Sequence, residues 1–251
     1  LDGTAGLALL FTALTEHFGF KHVQYYQPRR LSEGYGFHPH AVEELKAQDV
    51  HLIVTVDVGI TSLAACELAQ KLGIDVIVTD HHLPGPSLPI AFAVVNPNTK
   101  ECESNLGMLC GAGVAFYLVM ALKREMEKRE LLSHNVDLKS LLDFFVIGTL
   151  TDMVPLIEEN RVLSKHGLSV FSRTQRPGLK ALVQRLNMSD REITGSDLAI
   201  RIAPKLNALS RMESGVRPIE ILLEKNPENA ASLVESALKV NDERLTHQQS
   251  S

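Results

Sequence analysis

In "VTDHH", residues 78–82, an acid and two imidazoles stand side by side directly after the apolar run "IDVIV". A further acid, Asp57, closes "LIVTVD", and both stretches are nearly all apolar up to their polar ends. Read as parallel strands, they deliver Asp57, Asp80, His81 and His82 to the carboxyl edge of a sheet, where open α/β folds place ligand sites. Two more acids fall at element boundaries. Asp2 immediately precedes a Gly-Thr helix start and reads as the end of a first strand, while Asp152, in "GTLTDMVP", closes a helix with an apolar body. Carboxylate oxygens with one or two imidazole nitrogens suit Mn²⁺ or Mg²⁺ better than the thiolate sites favoured by zinc. Two such ions about 3.5–4 Å apart clamp a phosphoryl group and activate a water, so the chemistry implied is phosphoester hydrolysis. The residue types also fit a plainer account. An Asp at a strand end caps the next helix, and adjacent histidines hydrogen-bond within a loop.

The elements that must position these residues follow an alternating pattern. Apolar runs of strand length, "HVQYYQP", "HLIVTVDVG", "DVIVTD" and "AFAVVNP", are separated by segments of helical period. The helical segments are "TAGLALLFTALTEHFG", stopped by Gly19, then "HAVEELKAQ", and then "TSLAACELAQKLG" with Thr61 or Ser62 as its N-cap. This alternation is the signature of βαβ units around a mostly parallel sheet. From about residue 107 the pattern becomes helical. The expected fold is α/β: a doubly wound, mostly parallel sheet over residues 1–185, then a helical extension over 186–251 leading to a missing second domain. The chain begins on Leu1 and ends in "LVESALKVNDERLTHQQSS", an unfinished polar helix, and is therefore read as a fragment cut at both ends.

Composition narrows the partners. The 251 residues are 45% hydrophobic, enough for a sizeable core, and the net charge of −5 argues against a broad nucleic-acid-coating surface. A polyanion would be held by a few local cations, by metals, or by a further part of the protein. Cys66, Cys102 and Cys110 lack both the spacing of a zinc site and the density of a disulfide scaffold, which points to a reducing, cytoplasmic setting. No apolar run approaches the roughly 18 residues of a membrane span.

Six segments in order, "TVDVGITS", "VIVTDHHLPG", "AVVNPN", "LCGAGVAF", "GTLTDMVPL" and "PKLNALSRM", with "GYGFHPHAVEEL" before them, resemble the RecJ-like single-strand-specific 5′ exonucleases of the DHH phosphoesterase superfamily. The resemblance runs from Asp2 to the end of the chain. It implies Asp2, Asp57, His81 and Asp152 as metal ligands, with Asp57 bridging two ions, Mn²⁺ or Mg²⁺, in the intact site. His82 contacts the scissile phosphate or supports a ligand, and Asp80 orients a histidine. Arg30 and Arg211 occupy positions that grip the substrate backbone. Asn207 fixes the Arg211 loop, touches sugar-phosphate, or caps a helix; Tyr35 stacks on a base or packs the "GYG" turn.

His38 and His40 cap a helix or line the substrate path rather than bind metal. Gly111 and Gly113 offer backbone amides to a phosphate or permit close packing. Only the last acid of the family's first motif is present, so one tightly bound ion and weak hydrolysis are expected. The implied activity is 5′ to 3′ digestion of single-stranded DNA in repair and recombination, with single-strand-binding or helicase proteins as further candidate partners and no membrane. The alternatives are a phosphodiesterase acting on short oligonucleotides or cyclic dinucleotides, and a non-catalytic scaffold.

Overall fold

Three of the apolar runs pair as parallel strands, β1 (Leu52–Val56), β2 (Asp75–Thr79) and β3 (Ala93–Val95), hydrogen-bonded in the order β1-β2-β3. The computed structural model describes residues 1–28, 34–209 and 216–249, with side chains as far as residue 239. Val56 is paired with Thr79, and Thr79 with Val95. The residues that follow the strands, Asp57, Asp80 and Asn96, therefore emerge together along one edge.

The helices are α1 (Asp2–Thr12), α2 (Pro39–Ala47), α3 (Leu63–Lys71), α4 (Gly111–Lys128), α5 (Leu142–Thr151), α6 (Glu158–Ser172), α7 (Pro177–Arg185), α8 (Ala203–Leu209), α9 (Pro218–Leu223) and α10 (Pro227–Gln249). Strand side chains alternate between faces, and each face is covered. Ile53, Val76 and Val78 pack under Val42, Leu45, Cys66 and Ala69 of α2 and α3. Val54 and Val56 point the other way, against the cluster built from α1, α4 and α5. Each fully buried Val, Leu or Ile contributes roughly 1.5–3 kcal/mol, so covering both faces fixes the strand register firmly. A parallel sheet with helices on both sides is the expected α/β fold.

Helix α5 is buried from Leu142 to Thr149 and carries no polar face, as a helix at the centre of a core must. Its cluster continues without a break through Leu182 of α7, Leu206 of α8, Ile219 of α9 and Val234 of α10. Helix α1 runs on through a π-helical turn, Ala13–His17, and stops at Gly19, whose φ of 74° is the left-handed value that glycine adopts without strain.

Two local expectations are corrected. The stretch "HVQYYQP" is not a strand: residues 23–28 carry no regular structure. Tyr25 packs edge-on to Phe11, with ring centroids 5.4 Å apart, and Gln27 donates to Thr4 Oγ1 at 2.8 Å. Tyr25 thus finds its apolar contacts on α1 and Tyr26 packs against the α2–α3 cluster, instead of either standing in a ladder. Ser62 does occupy the N-cap position of α3, but its side chain makes no capping bond. The amide of Ile60 just upstream is taken by the Asp80 carboxylate at 2.9 Å.

Candidate metal centre

The ends of β1 and β2 are laced by threonines. Thr79 Oγ1 donates to Thr55 O at 2.5 Å, Thr55 Oγ1 donates to Val58 O at 2.7 Å, and the Asp57 amide donates to Thr79 O at 3.0 Å. Chain direction turns sharply at Asp57, which takes a left-handed φ of 63°. This conformation is costly for a residue with a Cβ and is held by its surroundings. Asp80, 1% exposed, is filled with donors: the amides of Ile60, His81 and His82, and His82 Nδ1 at 2.7 Å. A carboxylate only accepts, so Nδ1 of His82 carries the proton, and its ring is oriented with Nε2 away from Asp80. The Asp80 carboxylate thus sets both the tautomer and the orientation of His82.

Asp2, 4% exposed, sits as the first residue of α1 with its carboxylate against the start of α4. Gly111 N donates to Oδ2 at 2.6 Å and Ala112 N to Oδ1 at 2.9 Å. A carboxylate at a helix N-terminus is stabilised by the free amides and the helix dipole. The amide of Gly113 is taken by Cys110 Sγ, which caps the same helix at 3.4 Å. The two glycines therefore serve the protein's own groups and close packing. A Cβ at Gly111 would collide with Asp57 Cβ, while one at Gly148 would lie 2.5 Å from Asp2 Oδ1 and one at Gly3 2.9 Å from Asp57 Oδ2. Three missing methyl groups let the four carrier elements converge.

His81 lies at the centre. Its Nε2 is 3.1 Å from Asp57 Oδ1, 3.7 Å from Asp152 Oδ2 and 3.9 Å from Asp2 Oδ2. Asp152, the residue that ends α5, is tied back through its amide to Gly148 O at 2.9 Å. Two triplets of ligand-type atoms, Asp57–His81–His82 and Asp2–His81–Asp152, each lie within 4.8 Å and share His81. The electrostatics are unbalanced. Burial pushes the Asp57 carboxyl up to about 6, with the Asp2 charge adding to it and His81 opposing it. Burial alone would lower His81, but the close approach and charge of Asp57, with Asp2 and Asp152 beyond, outweigh it and raise the imidazole to about 9. Asp152 is also raised, by burial and then by Asp2.

Asp57 Oδ1 and His81 Nε2 are buried and, among the described residues, make no hydrogen bond of acceptable geometry despite standing 3.1 Å apart. Buried polar atoms are normally satisfied, and an unpaired acceptor costs about 1–3 kcal/mol or more. A divalent cation among these four side chains satisfies both atoms, since it takes carboxylate oxygen and neutral imidazole nitrogen as ligands. The donor set contains no thiolate and fits Mn²⁺ or Mg²⁺.

The remaining predicted site residues are distributed as follows. Tyr35, 54% exposed, donates from its hydroxyl to Asp57 O at 2.9 Å and presents its ring edge-on to His82 at 6.4 Å. His38 occupies the N-cap position of α2 without a side-chain cap, which corrects the capping reading: its Nε2 donates to Tyr35 O at 2.9 Å, and its ring stacks on His40. Asn207 lies in the last turn of α8, partly buried. Arg30 and Arg211 lie outside the described residues. Sequence reasoning overlooked Asn96 and Asn98, whose amides donate to the carbonyls of His82 at 2.9 Å and His81 at 2.5 Å. The signal was the polar "NPN" directly after an apolar strand.

Comparison with known proteins accords with this geometry. The model for the DHH family, N-terminal domain, matches residues 1–149. This chain belongs to the DHH family. It is 39% identical over 250 residues to the single-stranded-DNA-specific exonuclease RecJ of Escherichia coli K12, covering 97% of this chain and 43% of the relative. It is 34% identical to the RecJ of Thermus thermophilus over 249 residues, which is 98% of this chain and 34% of that protein. A crystal structure of exonuclease RecJ bound to manganese superposes with a TM-score of 0.83 at 33% identity, covering 99% of this DHH-family chain and 60% of the other. The T. thermophilus RecJ in complex with Mn²⁺ gives a TM-score of 0.78 at 31% identity, covering 99% and 34%. The chain thus spans less than half the length of these curated relatives. Among the described residues, no helix is long and apolar enough to cross a membrane.

Proposed function

We propose that this chain carries the metal-dependent phosphodiesterase centre of a RecJ-like exonuclease, which removes nucleotides from the 5′ end of single-stranded DNA. The observation that carries the reading is the convergence of Asp2, Asp57, Asp152 and His81 around two buried atoms that have no hydrogen-bond partner among the described residues. Those four side chains hold one Mn²⁺ or Mg²⁺. The bound ion supplies Lewis acidity and a water of lowered pKa.

The protein's own groups do the rest. His82, half exposed and oriented by Asp80, faces the space where a phosphate oxygen arrives. Helix α4 and the β1 end keep Asp2 and Asp57 side by side, so that a cation is the favoured occupant. Tyr35 offers an exposed ring for a base, and Arg30 and Arg211 supply the backbone grip that the net charge does not. Residues 1–185 carry the chemistry and 186–251 extend it. The setting of this proposal is repair and recombination of DNA in the cytoplasm.

A calorimetric Mn²⁺ titration, beside His81→Ala, tests the centre. One tight site is expected, weakened about 10-fold or more by loss of the imidazole; equal affinity of the two proteins removes His81 from the ligand set. Turnover on 5′-ended single strands against dinucleotides tests the substrate. Preference for dinucleotides would select the small-substrate phosphodiesterase instead. A non-catalytic scaffold is disfavoured because all four ligand-type side chains, Asp2, Asp57, His81 and Asp152, are retained and converge.

A further inference from the structure

The ligand-bearing segments are far apart in sequence, yet three of them are tied to one short piece of backbone, residues 107–112. Asp2 is held there directly, by the amides of Gly111 and Ala112. His81 is held through Asn98, whose Nδ2 donates to His81 O at 2.5 Å and reaches Gly107 O at 3.4 Å. The Asp152 loop is held through Asn160, 0% exposed, whose Nδ2 donates to Met108 O at 2.8 Å and Pro155 O at 3.0 Å. In both cases one amide nitrogen faces two carbonyls from different loops. That arrangement fixes which end of the amide is nitrogen. Asn98 is itself set by Asn96, whose Oδ1 accepts from the Asn98 backbone N–H at 2.8 Å while its Nδ2 donates to His82 O.

We propose that Asn98 and Asn160 are positioning residues. They register His81 and Asp152 against Asp2 through the 107–112 segment, and so set the spacing of the cation site. The proposal rests on the metal-centre reading above. Ligand sites demand placement within about 0.5 Å, and a shell of hydrogen bonds behind the ligands is what provides it. A structural role alone would not require both amides to converge on adjacent carbonyls, Gly107 and Met108, in the turn that leads into α4.

Gly107 supplies an independent handle. It is exposed, and a Cβ there would lie 2.6 Å from Asn98 Oδ1, so Gly107→Ala displaces Asn98 without opening the core.

The test compares the parent chain with Asn98→Ala, Asn160→Ala and Gly107→Ala, none of which adds a charge. Mn²⁺ affinity is measured by calorimetry, the spectrum of bound Mn²⁺ by electron paramagnetic resonance, and metal-free stability by urea unfolding. Asn98→Ala and Gly107→Ala are expected to weaken Mn²⁺ binding about 10-fold or more and to alter the spectrum, beyond any shift in urea midpoint. If these two variants fold and bind Mn²⁺ as the parent does, the proposal is overturned, even where stability has fallen. Asn160 is buried, so should Asn160→Ala fail to fold, the other two variants decide. Failure of the parent itself to bind Mn²⁺ would instead overturn the metal centre, and the positioning role with it.

Discussion

Two buried carboxylates, Asp57 at the end of β1 and Asp143 in the first turn of α5, are treated in opposite ways. Asp143, 2% exposed, accepts from Arg176 Nε at 2.8 Å, Thr174 Oγ1 at 3.0 Å and the Phe144 amide at 2.8 Å. The guanidinium of Arg176 lies 4.0 Å above the Phe144 ring and also donates to Ser140 O. Burial still raises the Asp143 carboxyl, but each of its three donors opposes that rise. Among the described residues, Asp57 is paired with no guanidinium; an imidazole that three acids share stands beside it, and its Oδ1 makes no hydrogen bond. Asp143 is surrounded by donors, as a carboxylate that stabilises the fold should be; Asp57 retains a lone pair, which the proposed metal-centre reading assigns to an ion.

The comparison is most sharply broken at Asp143. Arg176→Ala leaves a buried acid unpaired and is expected to cost about 3–5 kcal/mol in urea unfolding, with Mn²⁺ affinity unchanged. Asp57→Asn should do the reverse, reducing Mn²⁺ affinity about 10–100-fold without a stability loss of that size at pH 8. Similar stability losses for the two variants would erase the distinction.

The pH dependence is smaller and follows from the two raised groups. Asp57, lifted from 3.8 to about 6, makes the folded chain bind more protons than the unfolded one over that interval, so stability falls as pH rises through it. His81, lifted from 6.5 to about 9, contributes stability that is complete below 6.5 and lost as pH rises through 9. The melting temperature of the metal-free chain should therefore decline between pH 6.5 and 9, and Mn²⁺ affinity should rise over the same range as the proton is displaced. Saturating Mn²⁺ should flatten the decline. The smallest effect belongs to an exposed pair, Arg129 with Glu125 at 2.6 Å, where Glu125→Ala should change stability by only about 0.3–0.5 kcal/mol.

Much of the centre was legible because its residues are polar ends on apolar strands, and strand ends in a parallel sheet share an edge. Asp57, Asp80, His81 and His82 follow from that rule alone. Asp2 and Asp152 could be flagged as boundary acids, but their meeting depends on α4 and α5 approaching closely at Ala112 and Gly148, a three-dimensional fact that no local spacing encodes. The left-handed turn at Asp57 was equally hidden, since nothing in "TVDVG" distinguishes it from a straight strand end. The misread strand "HVQYYQP" shows the opposite limit. Adjacent tyrosines such as Tyr25 and Tyr26 satisfy helix surfaces as well as a ladder, and only the positions of α1 and of the α2–α3 layer decide between them.

A helix opening on "CGAG", as α4 does, ordinarily offers a berth to free anions, yet here the berth is filled from within by the chain's own second residue. An anion arriving from solvent therefore meets the Gly111 and Ala112 amides already spoken for, and the start of α4 serves as a clamp on a carboxylate instead of as a phosphate seat.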